Sequence, residues 1–429
     1  MTIEVFVLLG VMLVLIVSGL PLFFAIGCSS LATLLIFHRT LPLELIPQYI
    51  VGGIDSFTLL AIPFFFMAGE IMNSGGLTSR IVVFSEGLVG GIRGGLGHVN
   101  VITNMIYAGI SGSAVADCAA IGSFMIPSMV RAGYSPGFSA AVNAAAATIG
   151  PIIPPSIPMI IFGMIANVSV GQLFLSGVFP GIIMGSYLMI TIYVVSIRRG
   201  YPKGASMPIA ELLKLGIKVS LAFFSPIIIV GGILLGIFTA TEAGAVAVLY
   251  SLIIGFFVYR ELTLSKLVRI IKNTVVSTGV VVILVGVSYV FAWIIAQSNI
   301  GNKIGEIMLS ISKNQGVILL ELNIFFLIVG MLMDPLAALI IFVPILLPIV
   351  TSVGVHPVHF GLMVVLNLMI GLLTPPVGYL LYVTSAIAEE KVEIVIKEVL
   401  LFIFALIAVL AICTYWPSMV LFLPNLISR

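Results

Sequence analysis

The chain has 429 residues, of which 61% are hydrophobic and only 8% are charged, and its mean hydropathy is +1.31. Soluble domains carry about 25% charged residues, so the composition excludes a soluble globular protein and predicts an all-α polytopic membrane protein. The formal net charge of +2 is too small to indicate nucleic-acid binding. The three cysteines are scattered through apolar runs, which indicates packing rather than a disulfide framework or a metal site.

In chain order, apolar runs predict about ten spans and two regions that do not fit a simple span. The first spans lie in 1–97, together with an amphipathic segment, 77–93, that we expect at the membrane interface. Residues 98–131 hold two apolar pieces of about a dozen residues around Gly109-Ile-Ser-Gly-Ser-Ala-Val-Ala-Asp117. Each piece is too short to cross about 30 Å of hydrocarbon at 1.5 Å per residue, which predicts a re-entrant hairpin.

The next predicted span, 138–166, is interrupted by prolines. Pro151, Pro154, Pro155 and Pro158 lie within a short apolar stretch, where proline removes an amide donor and blocks an unbroken helix. At membrane depth, broken backbone is tolerated only if protein buries it or it lines a polar cavity. The break therefore predicts a functional site.

The second half of the chain contains the same kinds of segment. Residues 167–316 contain further spans and a basic connection, 198–218, that we interpret as the boundary between halves. A second predicted hairpin, 317–353, surrounds Gly330-Met-Leu-Met-Asp334, and a second broken span, 359–385, surrounds Gly371-Leu-Leu-Thr-Pro-Pro-Val-Gly378. The remaining segment, 386–429, predicts an interfacial amphipathic helix and a last span.

Matching motifs indicate that the two halves are repeats. Gly19-Leu-Pro21 corresponds to Gly236-Ile-Phe238, and Asp117 corresponds to Asp334 at the same separation along the chain. Pro154-Pro155 corresponds to Pro375-Pro376 at a slightly larger separation, consistent with a short insertion. In this alignment, each aspartate immediately precedes the second helix of its hairpin.

The distribution of basic residues predicts the orientation. With the N-terminus outside, the positive-inside rule is satisfied, because most Lys and Arg residues then face the cytoplasm. The few left outside are Arg39, Lys303, Lys313 and Arg429. In this orientation the first hairpin opens to the cytoplasm and the second to the outside, so the repeats are inverted.

We expect the site where each hairpin tip meets a broken helix near the membrane midplane. Free carbonyls at a break suit a hard cation such as Na⁺, and free amides suit a substrate carboxylate. The predicted Na⁺ ligands are Ser111, Gly112, Ser113, Gly150, Gly330, Met333, Gly371 and Thr374. The predicted substrate contacts are Asp117, Thr148, Pro154, Ser156, Asp334 and Pro375.

Other interpretations of these residues are open. Small and hydroxyl residues also pack helices together in membranes, and either aspartate could cap a hairpin helix instead of binding a ligand. Gly109-Ile-Ser-Gly112 fits an intramembrane serine protease, but that chemistry requires a histidine on a neighbouring span, and no predicted span has one near its centre. A non-transporting scaffold or a channel subunit is the main alternative, although paired broken helices favour alternating access.

Four motifs together resemble the large membrane subunit of tripartite ATP-independent periplasmic (TRAP) transporters. These motifs are Gly109–Asp117, Gly150–Pro158, Phe238-Thr-Ala-Thr-Glu-Ala-Gly244 and Gly371–Gly378, and the similarity extends over essentially the whole chain. The family often has a proline after the first threonine of the third motif, where this chain has Ala240. The resemblance implies an ion-transporter-like elevator fold, with transport units 98–166 and 317–385 and scaffold segments 1–97, 167–316 and 386–429.

The resemblance also implies partners and an energy source. A small four-helix membrane subunit and a soluble periplasmic substrate-binding protein would work with this chain in a bacterial inner membrane. A Na⁺ gradient would drive uptake of an organic acid such as sialic acid or a C4-dicarboxylate. Two Na⁺ sites are expected, one at each hairpin tip, with the substrate between them.

Overall fold

A computed structural model of the chain describes residues 3–38, 42–204, 207–298 and 314–427. In these residues, eight helices are long and apolar enough to cross a membrane, and a further helix, Ile209–Leu234, bends by 45°. The protein is therefore an all-α, multi-pass membrane protein, as the composition predicts. Arg39, Lys303, Lys313 and Arg429, the basic residues predicted to face the outside, fall beyond the described ranges.

Helices follow one another through both halves with short connections. In the first half they are α1 (Ile3–Val17), α2 (Leu22–Phe37), α3 (Leu45–Ile54), α4 (Ala61–Ser74), α5 (Leu77–Val89), α6 (Gly95–Ser111), α7 (Ala114–Arg131), α8 (Pro136–Ala147), α9 (Ile157–Ala166) and α10 (Val170–Arg199). In the second half they are α11 (Ile209–Leu234), α12 (Ala240–Ile253), α13 (Leu264–Gln297), α14 (Gln315–Leu332), α15 (Pro335–Ser352), α16 (Pro357–Gly371), α17 (Tyr379–Ala388), α18 (Val392–Tyr415), α19 (Pro417–Val420) and α20 (Phe422–Ile427).

Two helix pairs, α6–α7 and α14–α15, occupy the positions of the predicted hairpins. Each pair is joined by only two residues, Gly112-Ser113 in the first and Met333-Asp334 in the second. Gly112 has φ +64, a left-handed conformation that glycine adopts without steric cost, and the tip turns there. Ser113 and Asp334 then cap the helices that follow, since each side chain accepts a backbone N–H bond from the first turn.

The arms of both hairpins are longer than the sequence predicts. They contain 17 and 18 residues in the first hairpin and 18 residues each in the second. At 1.5 Å per residue, 18 residues extend about 27 Å, so the argument that the arms are too short to cross is wrong. The prediction assigned Gly109–Asp117 to the turn, whereas in the structure that segment is helical except for Gly112-Ser113. Re-entrance therefore stays a prediction that the charge distribution supports.

The register of the repeat also differs from the predicted one. The number of residues between the two proline pairs, Pro154-Pro155 and Pro375-Pro376, also separates Gly109 from Gly330 and Ser113 from Asp334. The ends of α7 and α15 are separated by the same number. Asp117 then corresponds to Ala338, so the predicted equivalence of the two aspartates is wrong. The glycine turns before α2 and α12, at Gly19 and Gly236, are slightly closer together in the chain. The second half therefore has a short insertion between its glycine turn and its hairpin.

Packing repeats across the two halves. The second arm of each hairpin packs on the broken helix of the other half, α7 on α17 and α15 on α9. Likewise α4 packs on α12 while α2 packs on α13, and α10 packs on α18. This exchange of partners is what a two-fold relation between repeats produces. Opposite orientation of the repeats in the membrane stays a prediction.

Two predicted boundaries near charged segments are wrong. The proposed interfacial helix after residue 386 is not separate, because one helix, α18, runs unbroken from Val392 to Tyr415. Similarly, α11 begins at Ile209, inside the predicted polar connection 198–218. Most of the charged residues lie on the end turns of spans, at the end of α10 and at the start of α11 and α18, where long side chains reach the interface. Arg199 thus pairs with Glu398 of α18, with N and O 2.8 Å apart.

A buried polar cluster holds the second hairpin against the helices behind it. Asn367 of α16 donates to the Asn323 side chain of α14 at 2.7 Å. Asn323 in turn donates to the Thr414 hydroxyl of α18 at 3.0 Å. Interhelical bonds of this kind contribute about 0.6 kcal/mol each in membranes, up to roughly 1.7. The cluster fixes where the tip of the second hairpin meets α16.

Candidate functional site

Both hairpin tips and both broken helices border one central cavity of about 600 Å³. The breaks are the segments between α8 and α9 and between α16 and α17, and each contains a cis Pro–Pro bond, Pro154-Pro155 or Pro375-Pro376. The cavity-lining residues that the sequence predicts as site residues are Gly112, Ser113, Gly330, Met333 and Asp334. The structure therefore brings together two segments that lie far apart in the chain.

Four helices begin at the wall of the central cavity. Its lining includes the first residues of α7, α9, α15 and α17, among them Ala114, Ile157, Pro335 and Tyr379. A helix N-terminus carries partial positive charge, which favours an anion, although first-turn amides here are already bonded, that of Ile157 to Gly112 and that of Leu336 to Asp334. The lining residues described here include no Lys, Arg or His. An anion in this cavity would therefore rely on helix dipoles and on the Ser113 and Ser277 hydroxyls, and the Asp334 carboxylate on the same wall would repel it.

The first hairpin tip contacts the first broken helix through backbone. The Ile157 amide donates to the Gly112 carbonyl at 3.4 Å. A Cβ on Gly112 would lie 2.6 Å from the Pro155 carbonyl oxygen, so only glycine permits this approach. Ser111 accepts from the Ser113 amide at 3.2 Å and so stabilises the turn.

Asp117 lies in the first turn of α7 and does not cap that helix. Its side chain is fully buried, and neither carboxylate oxygen has a hydrogen-bond partner among the described residues. One oxygen lies directly against Gly150, where any Cβ would collide with it. A buried carboxylate beside the carbonyl end of α8 is costly unless a proton neutralises it or a cation compensates it. This local environment fits a bound Na⁺.

In the second half, two helix C-termini meet at glycines. A Cβ on Gly330 would lie 3.2 Å from the Gly371 Cα, and a Cβ on Gly371 would collide with the Gly330 backbone. The partial negative ends of α14 and α16 are thus close together, which suits a cation. Thr374 follows in the break and donates to the Ile370 carbonyl at 2.8 Å, leaving its oxygen free to accept or ligate.

Asp334 has a different role from Asp117. Its carboxylate accepts the Leu336 amide at 2.8 Å, which confirms the capping alternative for this residue. The side chain is exposed and lines the central cavity. Capping stabilises the charged carboxylate at the cavity wall.

The remaining predicted residues lie behind the cavity wall. The Thr148 hydroxyl donates to Ala145 at 2.7 Å, and the Ser156 hydroxyl donates to Pro151 at 2.5 Å while capping α9. Neither they nor Pro154 and Pro375 are among the residues that line the cavity. Their placement indicates that they shape the breaks.

Sequence reasoning missed the wall that faces the hairpins. Phe66 of α4 and the α13 residues Val276, Ser277, Val280 and Val281 line that side. Ser277, a hydroxyl within an apolar run, was the only signal available. The others are indistinguishable from lipid-facing residues until the helices are packed.

Comparison with known proteins identifies the family. The family model described as "Tripartite ATP-independent periplasmic transporter, DctM component" matches residues 9–419. The chain belongs to the DctM family. Members of this family are subunits of transporter permeases, so the chain is not an enzyme.

Relatives align with this DctM-family chain from end to end. It is 42% identical over 415 residues to the sialic acid TRAP transporter large permease protein SiaM of Vibrio cholerae serotype O1, covering 96% of each chain. It is 37% identical over 405 residues to the C4-dicarboxylate TRAP transporter large permease protein DctM of Pseudomonas aeruginosa, covering 94% of each. The YdaH transporter of Alcanivorax borkumensis, at 12% identity, has the same fold, with a TM-score of 0.63 over 88% of this chain and 89% of that one.

Proposed function

We propose that this chain carries out Na⁺-coupled secondary active uptake of an organic acid across a bacterial inner membrane. Its N-terminus faces the periplasm, where a soluble binding protein delivers the substrate, and a small four-helix membrane subunit accompanies it. Two relatives are named for the transport of sialic acid and of C4-dicarboxylates, and we take the substrate class from those names. These substrates share a carboxylate, which is the group that the site would bind.

Convergence of four helix N-termini on one cavity carries the proposal. The described lining offers the positive ends of helices and no basic side chain, and because the Asp334 carboxylate lies on the same wall, an anion would be held weakly and reversibly. A carboxylate bound by amides leaves more readily than one paired with a buried arginine. Reversibility is what a transporter requires, because the substrate must be released on the other side.

Na⁺ would bind at the two contacts between hairpin and broken helix. The first contact offers Ser111, Ser113 and the Gly150 region, with the Asp117 carboxylate as compensating charge. The second offers the backbone of Gly330, Met333 and Gly371 with the Thr374 hydroxyl. Hard oxygen donors of this kind match an alkali cation. Binding there would draw each tip onto its broken helix and complete the substrate cavity.

An elevator motion is the alternating-access mechanism that we propose. The cavity lies between the units 98–166 and 317–385, which contain the hairpins, and the facing helices α4 and α13. If those units moved as one body against α4 and α13, the cavity would reach each face of the membrane in turn. With Na⁺ bound, the contacts between hairpins and broken helices would stay intact during this movement.

Reconstitution with both partner proteins in proteoliposomes tests the proposal. With an inward Na⁺ gradient, the vesicles should accumulate sialic acid or a C4-dicarboxylate above its external concentration. Replacing Na⁺ by K⁺ at equal ionic strength should abolish accumulation. Uptake that ignores the Na⁺ gradient contradicts the coupling, and flux that only equilibrates the substrate would indicate a channel.

A further inference from the structure

A second cavity, of about 320 Å³, lies between α4 and the first hairpin. Its polar lining consists of Glu70 and Asn73 of α4, Tyr107 and Ser111 of α6, and Ser113 at the tip. Ser113 and Phe66 border this cavity and also the central one. The hairpin tip therefore separates the two spaces, and a small movement of the tip would join them.

Glu70 is the charged group in this second cavity. It is half-buried, and in the described part of the chain its carboxylate forms no hydrogen bond and no ion pair within 4 Å. Asn73, one turn further along α4, accepts from the Thr78 hydroxyl at 2.9 Å through its side-chain oxygen. Arg269 of α13 is the opposite charge that acts on Glu70 electrostatically, from an exposed position. The carboxylate is thus held in a polar pocket without a bound partner.

Asn73, at one end of the second cavity, precedes Ser74, the last residue of α4, which lies at the basic end of the bundle. Lys266 of α13 donates to the Ser74 carbonyl, at the end of α4, at 3.3 Å. Beside it, Arg80 pairs with Glu261 at 2.6 Å. These basic residues belong to the face that the positive-inside rule assigns to the cytoplasm. The cavity therefore leads from the first hairpin tip toward the cytoplasm.

We propose that Glu70 and Asn73 form a further Na⁺ site on the cytoplasmic release path of the first hairpin. The proposal rests on the proposed Na⁺-coupled function. Glu70 supplies a carboxylate, Asn73 an amide oxygen, and Ser111 and Ser113 hydroxyls on the opposite wall. Carboxylate, amide and hydroxyl oxygens are donors that a hard cation prefers. An ion that leaves the tip would pass to Glu70 before it reaches the cytoplasm.

Substituting charges on either side of the site gives opposite expectations. Glu70→Gln removes the carboxylate and should raise the half-effective Na⁺ concentration on the cytoplasmic side by about fivefold, the effect of one partly screened charge. Arg269→Gln removes the competing cation and should lower that concentration. Glu86→Gln, on the exposed face of α5, removes the same charge elsewhere and should change nothing. The measurement is substrate efflux from oriented proteoliposomes with luminal and external Na⁺ varied separately.

Several outcomes would overturn the proposal. If efflux by the parent protein does not depend on Na⁺, the proposed function itself is wrong. If the parent depends on Na⁺ but Glu70→Gln and Glu86→Gln have the same half-effective Na⁺ concentration, only the further site is wrong. Equal shifts in Glu70→Gln and Arg269→Gln would show that the two residues act as an ion pair. If Glu70→Gln does not fold, Glu70→Asp should retain cytoplasmic Na⁺ dependence within about twofold, since the carboxylate is kept. Loss of that dependence in a folded Glu70→Asp protein also contradicts the site.

Discussion

Two aspartates that look equivalent in the sequence have different environments. Asp334 is exposed to the central cavity, and its carboxylate caps α15. Asp117 is fully buried, lies against Gly150, and has no hydrogen-bond partner in the described residues. Of the two aspartates, only Asp117 is buried without a hydrogen-bond donor. A bound Na⁺ would therefore offset the free-energy cost of burying its carboxylate.

When Asp117 is replaced by asparagine, the free energy of unfolding should therefore no longer depend strongly on Na⁺. Asp117→Asn keeps the size and removes the charge, so without Na⁺ the variant should be more stable than the parent. For the parent, Na⁺ at 100 times its dissociation constant should add about 2.7 kcal/mol, and the variant should lose most of that increment. Thermal unfolding in detergent, in Na⁺ or in choline at equal ionic strength, measures both effects.

Asp334→Asn is the matched control for this experiment. Asparagine is as good an N-cap as aspartate, so α15 should remain capped and the Na⁺ increment should persist. An undiminished Na⁺ increment in Asp117→Asn would remove that carboxylate from the ion site.

The element that defines the second half of the site is the crossing of α14 and α16. Gly330 and Gly371 have no side chains, and this allows the two backbones to come into contact. In membranes, small residues at a crossing permit this approach, and packing then supplies the attraction. The crossing brings the carbonyl ends of both helices to one place.

An added methyl group at this crossing should be costly. In Gly371→Ala the new Cβ would collide with the Gly330 backbone, and overpacking of this kind costs about 1–3 kcal/mol. We expect a lower unfolding midpoint and a loss of Na⁺-driven uptake. Gly279→Ala, in α13, is the control, because nothing lies within 4 Å of a Cβ there and alanine favours a helix. If Gly371→Ala and the parent have the same unfolding midpoint and the same uptake, close contact between α14 and α16 is not required.

At the scale of the whole molecule, the two halves exchange partners. Each hairpin is supported by the broken helix of its own half and contacts that of the other, so neither half could form the central cavity alone. An inverted repeat explains how one supersecondary unit supplies access to both faces. The proposal of alternating access depends on this inversion.

Cysteine labelling tests the inversion directly. Ala132 and Ser352 are exposed and lie at the ends of the equivalent helices α7 and α15. In a Cys28→Ser background, which leaves only the buried Cys118 and Cys413, we would introduce Ala132→Cys or Ser352→Cys. An impermeant maleimide should label Ser352→Cys in intact spheroplasts and Ala132→Cys only after permeabilisation. Labelling of both from one side contradicts the inverted topology.

Much of this architecture could be predicted from the sequence because it depends on local chemistry. Apolar runs place helices in a membrane, and prolines at 151–158 and 375–376 break them, whatever surrounds them. The positions of the two helix pairs follow from the same local patterns, whereas Na⁺ and the substrate stay predictions. The helix ends at the first hairpin tip could not be predicted, since burial keeps small and polar residues such as Ser111 and Asp117 helical although they are not apolar.

Which groups share a space depends on the packed helices. Local patterns in the chain are enough to predict a duplicated membrane protein with two broken helices and with acids near each hairpin. Packing between distant segments decided that Asp334 is a cap and Asp117 is uncompensated, and it placed α13 opposite the hairpins. These outcomes depend on helix rotation and on a small difference in register between the repeats. Such quantities are fixed by contacts across the fold and leave no local pattern in the chain.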